Sequence, residues 1–329
     1  MLRVGPRNSI TDVAGITVGN AEDHHLTTGA TVIVPEEPAI CAVDHRGGAI
    51  GARDTIGLQP GSVGGWVHAI CLSGGSAFGL DAPGGVMHAL RARGKGFAFG
   101  GAKVPIVPGA IIFDLMTGKN REWDQPPWWD LGARAYANAA QDFALGNAGA
   151  GMGATAARLK GGLGTASYQN DDCIVGALAV ANPVGGVVIP GTNTFWAWMD
   201  EQDGELGEQT PPARQPEALI AKAPESPSNT TLVVVATDAV LDRDNALRVA
   251  IMAQDGLVRA IRPIHTPFDG DTVFVISTGK RQLPDTPENL MNIGAMAAGA
   301  TARAITRGVY EAESLAGYPS YREKRVTGG

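Results

Sequence analysis

The sequence predicts an α/β fold, in one domain, in which short buried strands alternate with helices. Three observations point there. Aliphatic, β-branched runs of strand length recur along the 329 residues, and after Thr230 they alternate with stretches of helical spacing. Strand-like runs on both sides of a proline-rich connector (201–228) read as buried on both faces, so they share a core. Finally, 45 glycines, nearly twice the usual share of about 7%, cluster in runs such as Arg46-Gly-Gly, Ser73-Gly-Gly-Ser and Lys160-Gly-Gly-Leu-Gly. Such clusters mark tight turns and close backbone approaches.

Residues 16–19 and 30–34 read as the first strands, joined by a polar loop with His24 and His25. No HxxxH or CxxC spacing accompanies these histidines, so no metal is expected. Residues 40–43 form a short strand leading into Asp44-His-Arg-Gly-Gly-Ala. Residues 69–72 break at Ser73-Gly-Gly-Ser, after which 78–90 carry a helical pattern stopped by Gly94. That order sets backbone N–H groups at a helix N-terminus, where negative charge is stabilised. A second helix is expected over 130–143, then the run Gly146-Asn-Ala-Gly-Ala-Gly-Met-Gly. Residues 163–167 and 173–181 read as paired strands ending at Asn182-Pro183, since Pro183 biases its neighbour out of helix. Residues 187–189 and 195–199 continue the β pattern.

The connector 201–228 holds Pro211, Pro212, Pro216, Pro224 and Pro227 among polar residues and reads as long and mobile. Beyond it lie a strand at 231–235 and a helix through Leu247, Ile251, Val258 and Ile261. A strand at 272–277 follows, then a helix through Ile293, Ala297, Ala300, Ala304 and Ile305. The charged tail after Gly317 is expected to fray. There is no internal repeat.

A net charge of −7 gives no basic footprint for nucleic acid. Three widely spaced cysteines (Cys41, Cys71, Cys173) suit a reducing compartment better than a disulfide framework. Met1-Leu-Arg-Val-Gly-Pro lacks the apolar core of a signal peptide, and no run approaches the ~18 apolar residues of a membrane span. A cytoplasmic protein is expected.

The most informative stretch is Ser226-Pro-Ser-Asn-Thr-Thr-Leu-Val-Val-Val-Ala236. Its Asn229-Thr230 junction is either a plain loop-to-strand transition or a self-cleavage site. In the second reading the Thr230 hydroxyl attacks the Asn229 carbonyl and Thr230 becomes a new N-terminus. Its own amine, with a pKa near 8, then serves as base. Asp269 and Asp271, flanking Gly270 before a strand, form an ordinary turn or hold the Thr230 ammonium or hydroxyl. Ser73-Gly74-Gly75-Ser76 could supply oxyanion-hole amides, and Asn182 a side-chain donor.

Two motifs compete. Gly149-Ala-Gly-Met-Gly-Ala fits a dinucleotide fingerprint but lacks the preceding strand and following helix. Gly74-Gly-Ser76-Ala-Phe78 stops one glycine short of a nucleophile elbow, leaving Ser76 with His88 or His265 as an alternative pair.

Taken together, these segments make the chain similar to the L-aminopeptidase/D-esterase family, which includes β-peptidyl aminopeptidases and the nylon-oligomer (6-aminohexanoate) hydrolase. The resemblance runs from Ile10-Thr-Asp-Val-Ala-Gly to the last helix. It rests on Asp44-His-Arg-Gly-Gly-Ala-Ile-Gly-Ala-Arg-Asp, Ser73-Gly-Gly-Ser-Ala-Phe-Gly-Leu-Asp, Gly149-Ala-Gly-Met-Gly-Ala and Lys160-Gly-Gly-Leu-Gly-Thr-Ala-Ser. Asn182-Pro-Val-Gly, Asn229-Thr-Thr-Leu and His265-Thr-Pro-Phe-Asp-Gly-Asp-Thr-Val-Phe complete it, all in the family's order.

The resemblance implies a four-layer αββα sandwich of the type shared with ornithine acetyltransferases, self-cleavage before the nucleophile, and homo-oligomers, often tetramers of αβ units. It places the nucleophile on Thr230, the oxyanion asparagine on Asn182 and the orienting acids on Asp269 and Asp271. The family lysine falls on Lys160 or Arg158; Lys160 is favoured, because an amine can be tuned while a guanidinium stays charged. A family tyrosine is Phe78 here, so that position offers no phenol.

The expectation is therefore an autocatalytically cleaved hydrolase of small amide, peptide or ester substrates with no cofactor. Its chains would be 1–229 and 230–329, roughly 24 and 10 kDa when 34.0 kDa is divided by length, with a mobile linker at 201–229. Asn182 and amides around Gly74, Gly75 and Ser76 would meet the oxyanion. An acyltransferase on the same fold and a non-catalytic binding protein are the alternatives.

Overall fold

The computed structural model describes residues 1–120, 122–212 and 229–327. In chain order the principal strands are β1 (Ile16–Asp23), β2 (Thr28–Pro35), β3 (Ala39–His45), β4 (Ile70–Ser73), β5 (Gly109–Ile111), β6 (Gly162–Gln169), β7 (Ile174–Asn182), β8 (Thr230–Ala239) and β9 (Thr272–Arg281). The helices are α1 (Ala82–Ala92), α2 (Trp128–Ala137), α3 (Arg243–Ala260), α4 (Pro287–Glu311) and α5 (Tyr321–Thr327).

A seven-stranded sheet runs Arg3–Val4, β6, β7, β8, β9, β3, Trp66–Val67, and a five-stranded sheet runs β1, β2, β4, β5, Ala52–Arg53. Within them β8–β9 and β4–β5 are parallel and the other neighbours antiparallel.

Side-chain alternation stacks these sheets. Leu232, Val234 and Ala236 of β8 and Phe274 and Ile276 of β9 pack on Val18, Ile33, Ile70 and Leu72 of the other sheet. One residue out of phase, Val233, Val235, Val273 and Val275 pack under α3 and α4. The outer face of the five-stranded sheet, including Ala30, Val32 and Val34, is covered by Val86 and Leu90 of α1 and Trp128, Leu131 and Ala135 of α2. The layers are thus helices, sheet, sheet, helices: the αββα sandwich. Because β8 is buried on both faces, it reads as an unbroken apolar run. Asp242 caps α3 and Thr286 caps α4, each side chain accepting a backbone N–H of the first turn.

Several elements differ from expectation. The helix expected over 130–143 is α2, Trp128–Ala137; beyond it Ala140 exchanges backbone hydrogen bonds with Val18 of β1, which ends the helix. The pattern over 78–90 is divided between a 3-10 segment, Ser76–Asp81, and α1. Residues 187–199 make a Val188–Phe195 bridge and a 3-10 turn, Trp198–Asp200, rather than strands. On α3 the buried face is Ala246, Val249, Ala250, Ala253 and Leu257, while Val258 is half exposed; small side chains let α3 pack closely.

Between Gly317 and Thr327 the tail does not fray. Tyr321 of α5 is buried, its ring 4.1 Å from that of Phe195 and its hydroxyl donating to the Asn193 carbonyl at 2.6 Å. The start of the connector is also fixed. Leu206 is fully buried, the Glu201 carboxylate accepts the Leu206, Glu208 and Gln209 amides, and Glu205 pairs with the buried Arg303. The rest of the expected linker, 213–228, lies outside the described residues.

Among the described residues no helix is long and apolar enough to cross a membrane. All three cysteines are buried and unpaired. Burial pushes the Cys173 thiol up to about 12 and raises those of Cys41 and Cys71 as well, so none is a ready thiolate at neutral pH.

Candidate active site

The N-terminus of β8 is a junction of three strands. β7 ends at Asn182, directly opposite Thr230 in the antiparallel register. β9, the parallel neighbour, begins at Thr272, immediately after Asp269-Gly270-Asp271. The end of one strand and the starts of two others therefore bring Thr230, Asn182, Asp269 and Asp271 to one place. Asn182, Asp269 and Asp271 are fully buried, and Thr230 is 2% exposed.

The Thr230 hydroxyl donates to the carbonyl oxygen of Asn229 at 2.6 Å. The Gly270 N–H reaches the same carbonyl at 3.0 Å and the Thr230 Oγ1 at 3.2 Å. A hydroxyl, the peptide carbonyl before it and one amide donor thus share a single cluster. Gly270 is required by space, since a Cβ there would lie 2.7 Å from both Thr230 Oγ1 and the Ala49 carbonyl oxygen.

The two carboxylates brace the cluster. Asp271 Oδ1 accepts the Thr231 amide at 2.8 Å; Oδ2 accepts the His265 amide at 3.0 Å and lies 2.9 Å from the His265 Nδ1. Asp269 accepts the Val184 amide at 3.0 Å and the Thr266 amide and hydroxyl at 3.2 and 2.5 Å. Burial raises the Asp269 carboxyl above its ordinary range, the Asp271 charge adds to this, and the Thr266 and Val184 hydrogen bonds oppose it. In the unbroken chain Asp271 holds the amide of Thr231, one residue beyond the expected nucleophile, rather than its hydroxyl. Asn229 is held at both ends: its N–H donates to the Phe268 carbonyl at 3.1 Å and its Nδ2 to the Pro183 carbonyl at 2.7 Å.

Lys160 is fully buried and Arg158 is exposed. The Lys160 Nζ donates to the carbonyls of Gly151 and Gly161 at 2.9 and 2.8 Å. Burial depresses its pKa to about 7, with the Asp114 charge opposing. Burial likewise lifts Asp114 to about 6, against hydrogen bonds from the Gly75 amide and Thr28 hydroxyl, both at 2.7 Å. Thr155, which pairs with Lys160 on a short ladder, gives its amide to Asn182 Oδ1 at 2.8 Å, while Asn182 Nδ2 donates to the Phe113 carbonyl at 3.3 Å.

Other expected residues are placed differently. The Gly74, Gly75 and Ser76 amides donate to Gly29, Asp114 and Ile112, so none of the three is free to meet an oxyanion. Phe78 is 48% exposed and packs with Trp123 and Trp128 in an aromatic cluster. His265 is turned to Asp271 and the His88 ring lies beside Trp129, so neither serves Ser76. Gly149–Gly151 is a 3-10 turn, not the strand-to-helix crossing a dinucleotide site needs.

The Gly270 N–H and the Pro183 and Phe268 carbonyls escaped sequence reasoning, because main-chain groups leave no residue signature. The sequence reading named His265 as a base for Ser76 and missed its place against Asp271.

A model of peptidase family S58 matches residues 8–322. An uncharacterized aminopeptidase of Mycobacterium tuberculosis is 44% identical, over 96% of this chain and 97% of that one. A 6-aminohexanoate-oligomer endohydrolase of Kocuria sp. is 31% identical, over 89% of this chain and 82% of the relative. Among solved structures, the L-aminopeptidase D-Ala-esterase/amidase of Ochrobactrum anthropi, described as a variant of the Ntn hydrolase fold, superposes with a TM-score of 0.67 at 21% identity. That match covers 95% of this chain and 88% of that one.

Proposed function

The chain belongs to peptidase family S58, and from that premise we propose that it is a self-processing hydrolase of amide bonds with Thr230 as nucleophile. The observation that carries this reading is the Thr230 hydroxyl 2.6 Å from the Asn229 carbonyl oxygen, with the Gly270 N–H on the same oxygen. Attack of Oγ1 on the Asn229 carbonyl carbon moves the acyl group from nitrogen to oxygen. The Gly270 N–H meets the charge that develops on the carbonyl oxygen. Water then hydrolyses the ester, releasing the Asn229 carboxylate and leaving Thr230 with a free amine.

Turnover repeats this chemistry on an external amide or ester. The Thr230 amine, with a pKa near 8, takes the hydroxyl proton as Oγ1 attacks and passes it to the leaving group. The Gly270 N–H and the Asn182 side-chain amide serve the oxyanion. Asp271 fixes the start of β8 through the Thr231 amide, and Lys160, whose pKa burial lowers to about 7, is tied to Asn182 through its ladder partner Thr155. The uncut site is closed, with Thr230 at 2% exposure, so processing also opens it. The test is a pair of variants: Thr230→Ala stays uncut and inactive, while Ser76→Ala is cut and active. The reverse pattern would move the nucleophile to Ser76.

A further inference from the structure

Asn229 is more than the residue before a scissile bond; in the uncut chain it fills a built pocket. It is 4% exposed, and both of its donors are matched by main-chain carbonyls. Its N–H, on the carbon next to the scissile carbonyl, meets Phe268 O at 3.1 Å. Its Nδ2, on the third carbon beyond that carbonyl, meets Pro183 O at 2.7 Å. The Val184 N–H, at the far end of the same peptide unit, donates to the Asp269 carboxylate, which fixes the Pro183 carbonyl in place.

We infer that this pocket is the acyl subsite for external substrates, selecting hydrogen-bond donors at those two positions. The inference rests on the hydrolase reading, because the same nucleophile and the same Gly270 N–H can serve both reactions only if the two carbonyls occupy the same point. A substrate acyl group must then lie where Asn229 lay. Once Asn229 has left, the Phe268 carbonyl and the carbonyl of the buried Pro183 lose their donors, and an acyl group that fails to supply them leaves that cost standing. The substrate class is therefore amides of asparagine-like acyl groups, and of amino acids whose amine sits on the third carbon beyond the carbonyl, as in 4-aminobutyrate. A carboxylate at the Nδ2 position meets the Pro183 carbonyl oxygen, acceptor against acceptor, and is rejected.

The experiment measures kcat/KM of the processed full-length enzyme on the p-nitroanilides of asparagine, leucine, aspartate, 4-aminobutyrate and butyrate. Leucine matches asparagine in shape without the donor, and butyrate matches 4-aminobutyrate likewise. The expected result is asparaginyl over leucyl, and 4-aminobutyryl over butyryl, by about tenfold or more, with aspartyl the poorest amino acid. A cut, active enzyme that takes leucyl and butyryl substrates equally well overturns the subsite and leaves the hydrolase reading standing. An uncut chain inert to all five overturns both.

Discussion

Gly270 has no side chain because there is no room for one: a Cβ would lie 2.7 Å from the Thr230 hydroxyl oxygen. Gly270→Ala should therefore displace the hydroxyl from the Asn229 carbonyl and leave the chain uncut on a denaturing gel, with its circular dichroism unchanged; cutting at the wild-type rate would contradict this. Asp271→Asn turns an amide N–H₂ towards the His265 N–H where a carboxylate oxygen now accepts. Processing should slow by about 100-fold, read from the appearance of the smaller chain.

Lys160 and Asp114 give the stability a pH signature. The Lys160 contribution is complete only above its ordinary value of 10.5 and is lost as pH falls through about 7. That of Asp114 is complete below 3.8 and is lost as pH rises through about 6. In an inactive Thr230→Ala background, Tm should rise from about pH 7 to 10, and adding Lys160→Met should flatten that rise. An identical rise in both proteins would contradict the assignment. At this scale the sequence named the side chains that meet at the β8 terminus, because hydroxyl, amide and carboxylate chemistry is carried by residue type. It missed the Gly270 amide, and it assigned oxyanion duty to Gly74 and Gly75, whose amides are spent on Gly29 and Asp114.

Elements position the site through close packing. α4 lies so near β6 that a Cβ on Gly164 would sit 2.1 Å from the Ala304 carbonyl oxygen and 2.3 Å from the Gly308 nitrogen. Both partners are backbone and cannot swing aside, so Gly164→Val should lower the urea midpoint sharply or prevent folding. The docked tail is a second lever. The Pro319 carbonyl accepts the Lys160 amide at 2.9 Å, two residues before the buried Tyr321. Tyr321→Ala should cost about 3 kcal/mol in urea unfolding. The strands were legible because an aliphatic run buried on both faces has one common solution. The buried face of α3 was not, because the larger residues Leu247 and Val258 mark a helix without saying which side a neighbour packs against, and alanines took that side. The tail misled for a similar reason: its charges are real, but the buried Tyr321 and the Lys160–Pro319 hydrogen bond hold it.

For the whole molecule, four layers bury the junction of β7, β8 and β9. The layering followed from resemblance more than from periodicity, since apolar runs do not state which sheet they join. A cut between Asn229 and Thr230 leaves β8 paired on both sides, so both products should stay together in the native state. The most direct measurement is the mass of the purified protein under denaturing conditions. Two chains meeting at Asn229 and Thr230, the smaller beginning with threonine, are predicted; a single chain of 34.0 kDa that nevertheless hydrolyses amides would contradict the mechanism at its root.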